Sequence, residues 1–368
     1  MKKIILLIFI MLNTVIFSEE YVSGKIVKKV GTVKENSLAT DMELIEEEMS
    51  DIAIYQIRIG RDLINVESPI YYENPLNIDF KKGDKVILMK DINDDGKIVY
   101  FITDKDKRIN YIILSSIFVI LTFVLAKIKG IKALLALVLG VASIFYFFLP
   151  LVIKGYSPIL LSVITALFSS VVTIYFITGF NRKGLTAILG SIGGVLCSGI
   201  ISSYFVNRMG LTGFSTIDAI SYMGYLGDIK VKELISAGII LGSMGAVMDV
   251  AMSISSSITE LKESNSNLSP WKIFVSGINI GKDVVGTMIN TLILAYIGGS
   301  LFDMIVILIN IKSLPLERLL NFEFIAVEIL KSFSGSIGIL IAIPITAYLG
   351  SYMGTGKNIF NDKKENNK

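Results

Sequence analysis

Two runs of this chain place carboxylates in stretches that otherwise belong in lipid. The first is Gly242 to Leu261, GSMGAVMDVAMSISSSITEL, with Asp249 well inside it. The second is Gly281 to Tyr296, GKDVVGTMINTLILAY, with Asp283 near its beginning. An ionisable side chain at the centre of a membrane helix costs about 3 kcal/mol on insertion scales. Such residues usually face a bundle interior and mark an ion, proton or substrate path. At about 3.6 residues per turn, Asp249, Ser253, Ser256 and Glu260 fall along one helical face, and Gly238, Gly242 and Gly245 continue it. The result is a hydroxyl-lined stripe that ends at Glu260, roughly 16 Å from Asp249 along the axis.

In the second run Asp283, Thr287, Asn290 and Thr291 share a face. Asp283 is expected at the start of its helix, where a carboxylate meets the positive end of the dipole and serves either as a cap or as the mouth of a path. The hydroxyl and amide groups beyond it suit a hard cation. They suit helix–helix hydrogen bonding equally well. If the two helices pack antiparallel, Asp249 comes to face Asn290 or Thr291. Two readings stand side by side: a proton or cation site supported by hydroxyls, and a structural Asp bonded to a neighbouring helix.

These groups have to carry whatever chemistry the chain does. Of 368 residues, 52% are hydrophobic and 18% charged, against about 25% charged in soluble domains. The chain is therefore expected to cross a membrane many times. It has no histidine and one cysteine, Cys197. That excludes imidazole proton relays, His-based zinc sites, Ser-His-Asp and Cys-His catalysis, and an intramolecular disulfide. No phosphate-binding loop, nucleophile elbow or dinucleotide fingerprint is present. No cofactor, metal or enzyme activity is expected, and a net charge of +3 gives no reason to invoke nucleic acid.

The elements that must hold the two runs follow from hydropathy. Residues 1–18 read as a signal peptide or an uncleaved signal anchor, which sends the next segment across the membrane. Residues 19–109 are polar and strand-rich. Tyr21 to Val33, Ile52 to Ile59 and Leu63 to Ile70 read as strands, and Lys85 to Lys90 with Lys97 to Thr103 as a hairpin. Such short strands suggest a small OB-like barrel. The loop Asp91-Ile92-Asn93-Asp94-Asp95-Gly96 copies the first half of a calcium loop. Ile102 stands where the bidentate Glu belongs, so a hairpin turn is the better reading.

From Asn110 onward seven apolar segments are long enough to span, at roughly 110–127, 131–152, 157–179, 185–206, 233–258, 284–310 and 332–352. Residues 110–352 are thus an all-α polytopic membrane bundle, and 353–368 a polar tail. Pro315 to Lys331 reads as an interfacial helix leading into the last span. Gly190, Gly193, Gly194, Ser198 and Gly199 form a small-residue face for close helix packing. Pro344 is expected to kink the last span. An exported β domain places the carboxyl terminus in the cytoplasm. Lys and Arg are modestly richer in the loops this puts inside, although Lys105, Lys107 and Arg108 run against that bias.

GAVMDVAMSISSSITEL, GINIGKDVVGTMINTLILAY, and the pair Glu323 and Glu328 followed by SGSIG and IAIPITA resemble the YibE/F family of bacterial membrane proteins. The likeness runs from about Asn110 to Met353 and is strongest from Lys183 to Thr346. Lys282 stands where the family's Gly-Arg-Asp would carry arginine, which keeps the charge but loses a bidentate fork. The resemblance implies a multi-span protein of the bacterial cytoplasmic membrane with an outward-facing amino-terminal domain. It implies no mechanism.

The residues then favour a secondary transporter, permease or channel. Asp249 would be its central group, Ser253, Thr287, Asn290 and Thr291 supporting ligands, and Asp283 and Glu260 the inner mouth. The rival is a non-transporting scaffold or sensor whose exported domain binds envelope components or a partner protein. An intramembrane hydrolase is disfavoured, because Asp249 and Asp283 fall at different depths in this seven-span topology. Expected partners are the bilayer, a small ion or molecule, and a second copy or a related membrane protein.

Overall fold

The computed structural model describes residues 21–34, 49–71, 77–93, 96–179, 181–214, 221, 224, 227–265, 267–310 and 315–353. The leader 1–18, Asp94, Asp95 and nearly all of the 353–368 tail lie outside them. The chain divides into two compact units, Met1–Leu121 and Thr122–Lys368.

The first unit is an antiparallel sheet of β1 (Tyr21–Lys34), β2 (Met49–Ile59), β3 (Asp62–Tyr71), β4 (Lys85–Ile92) and β5 (Ile98–Lys105). The strand order is β3-β2-β1-β4-β5. Alternation buries Ile26, Ala53, Tyr55, Ile57, Val66, Val86 and Leu88 with Phe80 in one core, where Tyr55 and Phe80 meet edge to face at 5.5 Å. Two register shifts bend β1 between Ile26 and Gly31, as bulges do. The outer strands β3 and β5 come within reach of each other. Only glycine fits at position 24, because a Cβ there would lie 2.5 Å from Ile57 Cγ2. β4 and β5 pair antiparallel up to Ile92 opposite Ile98, and beyond them Asn93 N–H donates to the Lys97 carbonyl at 2.9 Å.

Ion pairs close the end of this sheet. Arg108 grips Asp106 with two bonds, Nε to Oδ1 at 2.8 Å and Nη2 to Oδ2 at 2.7 Å, and also donates to Ser23. Lys105 pairs with Asp84 at 2.7 Å. These hydrogen bonds hold the Asp106 and Asp84 carboxyls below their usual range. Their contribution is complete at neutral pH and fades as pH falls below about 4.

Helix α1 (Arg108–Ser143) begins in the first unit and runs on into the second, which is helical; it contains a break at Lys127, where φ is 50° and ψ −130°. A Cβ on Gly130 would lie 2.6 Å from the Thr122 carbonyl, whereas eight residues of straight helix advance about 12 Å. The chain therefore doubles back at Lys127, and glycine at 130 lets the two arms touch. A π turn (Ile144–Phe148) and α2 (Leu149–Ile153) follow, then α3 (Pro158–Thr178) and α4 (Arg182–Arg208). After these come α5 (Val231–Ser264), α6 (Pro270–Gly299), α7 (Leu301–Asn310), α8 (Leu316–Leu320) and α9 (Glu323–Tyr352). Among the described residues six helices are long and apolar enough to cross a membrane, the 46-residue Arg108–Ile153 segment counting as one.

Two boundaries differ from the sequence reading. The helix expected from 284 begins at Pro270, capped by Ser269 Oγ, which accepts from Lys272 N–H at 3.4 Å. Gly277 and Gly281 are both buried against α9. The last helix begins at Glu323 rather than 332. No long interfacial helix covers 315–331, only the short α8. Glu323 and Glu328 suggested an interface, but each has a partner that lets the helix run on. Glu323 accepts from the backbone N–H groups of Thr212 at 2.8 Å and Gly213 at 2.6 Å.

The core forms where α4, α5 and α9 meet. The small face of α4 does what its glycines suggest. A Cβ on Gly194 would lie 2.6 Å from the Gly338 carbonyl, and one on Gly338 2.9 Å from the Gly194 carbonyl. Gly190 lies directly against Thr346. Around this crossing α5 inserts Val247, Val250, Ile254 and Ile258, all essentially unexposed. The α9 helix continues through Pro344, which lies on its exposed side. Gly194→Ala is expected to destabilise the protein by about 1–3 kcal/mol, as overpacking does. Gly238→Ala, where a Cβ meets nothing within 4 Å, is expected to leave the melting temperature in detergent unchanged or higher.

Candidate functional site

The helices α5 and α6 are joined by a short turn and run antiparallel. Gly277 of α6 rests on Ile258 of α5, and near the other end a Cβ on Gly242 would lie 2.8 Å from Tyr296 Oη. These two contacts place Asp249 level with the Gly286–Ile289 turn, about one turn beyond Asp283. The antiparallel expectation is met, and Asp249 lies at a depth close to Thr287 and Asn290. The two carboxylates are then about four residues apart in depth, roughly 6 Å. They do not lie at matching depths. The position of Asp283 is corrected: it lies in mid-helix and caps nothing. The error came from starting α6 too late.

Both polar stripes exist as helical faces, and both turn away from the chain's own core. On α5, Gly238, Gly242, Gly245, Asp249, Ser253 and Glu260 are exposed, and Ser256 is half-buried. On α6, Asp283, Thr287, Asn290 and Thr291 are exposed, together with Asn279, Lys282 and Gly286. Branched aliphatic residues on the opposite side of each helix fill the core and turn these faces outward. Thr287 and Thr291 donate back to their own helix, to the carbonyls of Val284 and Thr287 at 2.8 Å. Among the described residues, the side chains of Asp249, Asp283, Lys282 and Asn290 have no hydrogen-bond or ion-pair partner.

The interior holds different polar groups, which the sequence reading missed. Ser198 Oγ of α4 lies 3.4 Å from Ser243 Oγ of α5. Gly335 of α9 faces both Ser243 and Tyr296 Oη. The Tyr296 hydroxyl is buried without a partner among the described residues, as are Ser169, Ser236 and Ser334 Oγ. The same antiparallel packing of α6 on α9 joins Gly277 to Ala347 and Gly281 to Ile343, which puts Tyr296 level with Glu328. Glu328 is 7% exposed and bonded to Lys331 at 2.6 Å. The signal was present as an i,i+3 acid–base pair in an apolar run, the pattern that lets a helix keep charges in a core.

A pocket of about 10 Å³ between α3 and α4, lined by apolar residues with Ser170, holds about one water at most. No group of three or more metal-ligating side chains occurs among the described residues. At the end of the bundle near Met353, Ser255 Oγ donates to the Lys183 carbonyl at 2.7 Å and Lys262 Nζ to the Met353 carbonyl at 2.6 Å. The latter places a cation on the carboxyl end of α9, where the dipole favours one.

Long apolar helices packed through glycine and serine, with carboxylates at mid-helix depth, define a polytopic membrane protein. The YibE/F-like protein family model matches residues 114–356, and the chain belongs to that family. No curated relative matches it, and no solved structure does.

The Glu328–Lys331 pair yields a stability prediction. Removing one partner of a buried pair leaves an uncompensated charge and costs about 3–5 kcal/mol, whereas apolar replacement of both is often neutral. Lys331→Met is expected to lower the melting temperature in detergent sharply, and the double variant Glu328→Leu/Lys331→Met to recover most of it.

Proposed function

We propose that this chain is a permease or channel subunit of a bacterial cytoplasmic membrane and moves a proton or small cation along the α5–α6 stripe. The observation that carries the reading is Asp249. It is a mid-helix carboxylate with no partner among the described residues, level with Thr287 and one turn from Ser253. Holding it unpaired in lipid would cost about 3 kcal/mol, and an Asn would hold a structural contact more cheaply. Asp249 binds the ion, Ser253, Thr287, Asn290 and Thr291 replace its water, and Asp283 lies within about 6 Å in depth. Glu260 and Ser256 lead from there towards the Lys262 end of α5.

The same reading takes the reversal at Lys127 as a membrane turn, which makes seven crossings. The amino-terminal unit is then outside and the carboxyl terminus in the cytoplasm. The strand order β3-β2-β1-β4-β5 with β3 near β5 supports reading this unit as an OB-like barrel. It is suited to gating or to holding a ligand. One observation favours the rival scaffold reading: among the described residues the core around α4, α5 and α9 is filled by aliphatic side chains such as Val247, Ile254 and Ile339.

The test is proton flux in proteoliposomes under an imposed pH gradient, with sodium or potassium as alternative driven ions. Asp249→Asn is expected to lower the flux at least tenfold while keeping the wild-type melting temperature. Unchanged flux, or no flux of any of these ions in the wild type, supports the scaffold.

A further inference from the structure

We propose that the outward face of α5 and α6 is the docking surface for a second copy of this chain, so that the Asp249 stripe lies between copies. The inference deepens the permease reading, on which only its functional consequence rests. Other helices show what the surface of this bundle is built to meet. The exposed side of α3 is Leu160, Ile164, Phe168 and Tyr175, and that of α4 includes Leu196, Ile200 and Phe205. These are lipid-facing sides. The α5–α6 face instead presents Gly245, Asp249 and Ser253 beside Asp283, Thr287 and Asn290, which hydrocarbon would not solvate.

Symmetry selects the occupant. Two copies inserted by the same route share one orientation, so an axis relating them runs along the membrane normal and each residue meets its partner's residues at its own depth. At one depth this face carries both signs, Lys282 beside Asp283, with Asp249 about 6 Å away. A second copy therefore brings an unpaired ammonium to the level of unpaired carboxylates, and the face is complementary to itself. The backbone can be approached closely as well. A Cβ on Gly238, Gly245 or Gly286 would meet nothing within 4 Å in this chain, and glycine at such open positions lets membrane helices touch.

The test uses the full chain in its own membrane with Cys197 replaced by alanine. Gly245→Cys and Gly286→Cys, each alone, are expected to give disulfide-linked dimers under mild oxidation. Ile200→Cys, on the apolar side of α4, is expected to give none. Gly245→Leu/Gly286→Leu leaves the single chain intact, since both positions are open. It should reduce cross-linking through Asn279→Cys about tenfold, the effect of roughly 1.4 kcal/mol. A monomer by native mass spectrometry in lipid discs, with no cross-link from either glycine position, overturns the proposal. So does a face shielded only while residues 1–20 remain attached, which assigns it to that apolar segment. Cross-links without ion flux keep the dimer and remove the permease. Flux without cross-links does the reverse.

Discussion

The bundle depends on one close approach, the crossing of α4 and α9 at Gly194 and Gly338. Each glycine meets the other's backbone carbonyl closer than a methyl group would allow. That contact leaves a narrow groove, and α5 fills it with Val247, Val250, Ile254 and Ile258. A helix that commits one side to a core turns its other side out. The orientation of Asp249, Ser253 and the α5 glycines is therefore a consequence of aliphatic packing elsewhere. In turn α6 is set by Gly277 on Ile258 and Gly281 on Ile343, which directs Asp283, Thr287 and Asn290 outward too.

Much of this was legible in the sequence. Period-two alternation placed the five strands within a few residues. The period of 3.6 assembled the α5 stripe and the α4 glycine face correctly. What it could not supply was direction, because a polar stripe looks the same whether it faces a pore, a core or a partner. The assumption that carboxylates face inward failed because serine and glycine had already occupied the interior. The start of α6 was missed because Trp271 to Lys282 mixes apolar and polar residues. Ser269 and Pro270, a cap and a first-turn proline, mark that start more reliably than hydropathy does. Glu328 was misplaced for the opposite reason. A buried acid paired with Lys331 on its own helix reads, in one dimension, as a charged surface.

The two sets of polar groups have different work. Ser198 and Ser243 face each other across the α4–α5 contact, and Tyr296 Oη and Glu328 are buried between helices. The α5–α6 stripes lie mostly on the outside of the single chain and carry Asp249 and Asp283, which have no partner among the described residues. A protein that keeps charged groups at mid-helix depth on its outside keeps them for something outside. Family membership, shown over residues 114–356, assigns no chemistry to that face, so the chemistry has to come from its residues.

The central claim is that the environment of Asp249 is completed by a second chain. It is tested most directly by infrared difference spectroscopy of the Asp249 carboxyl in lipid, with Asp249→Asn to identify the band. The spectrum of the wild type is compared with that of Gly245→Leu/Gly286→Leu. The account predicts that blocking the face changes both the titration of that band and its response to added cations. A band that titrates identically in both proteins would contradict it.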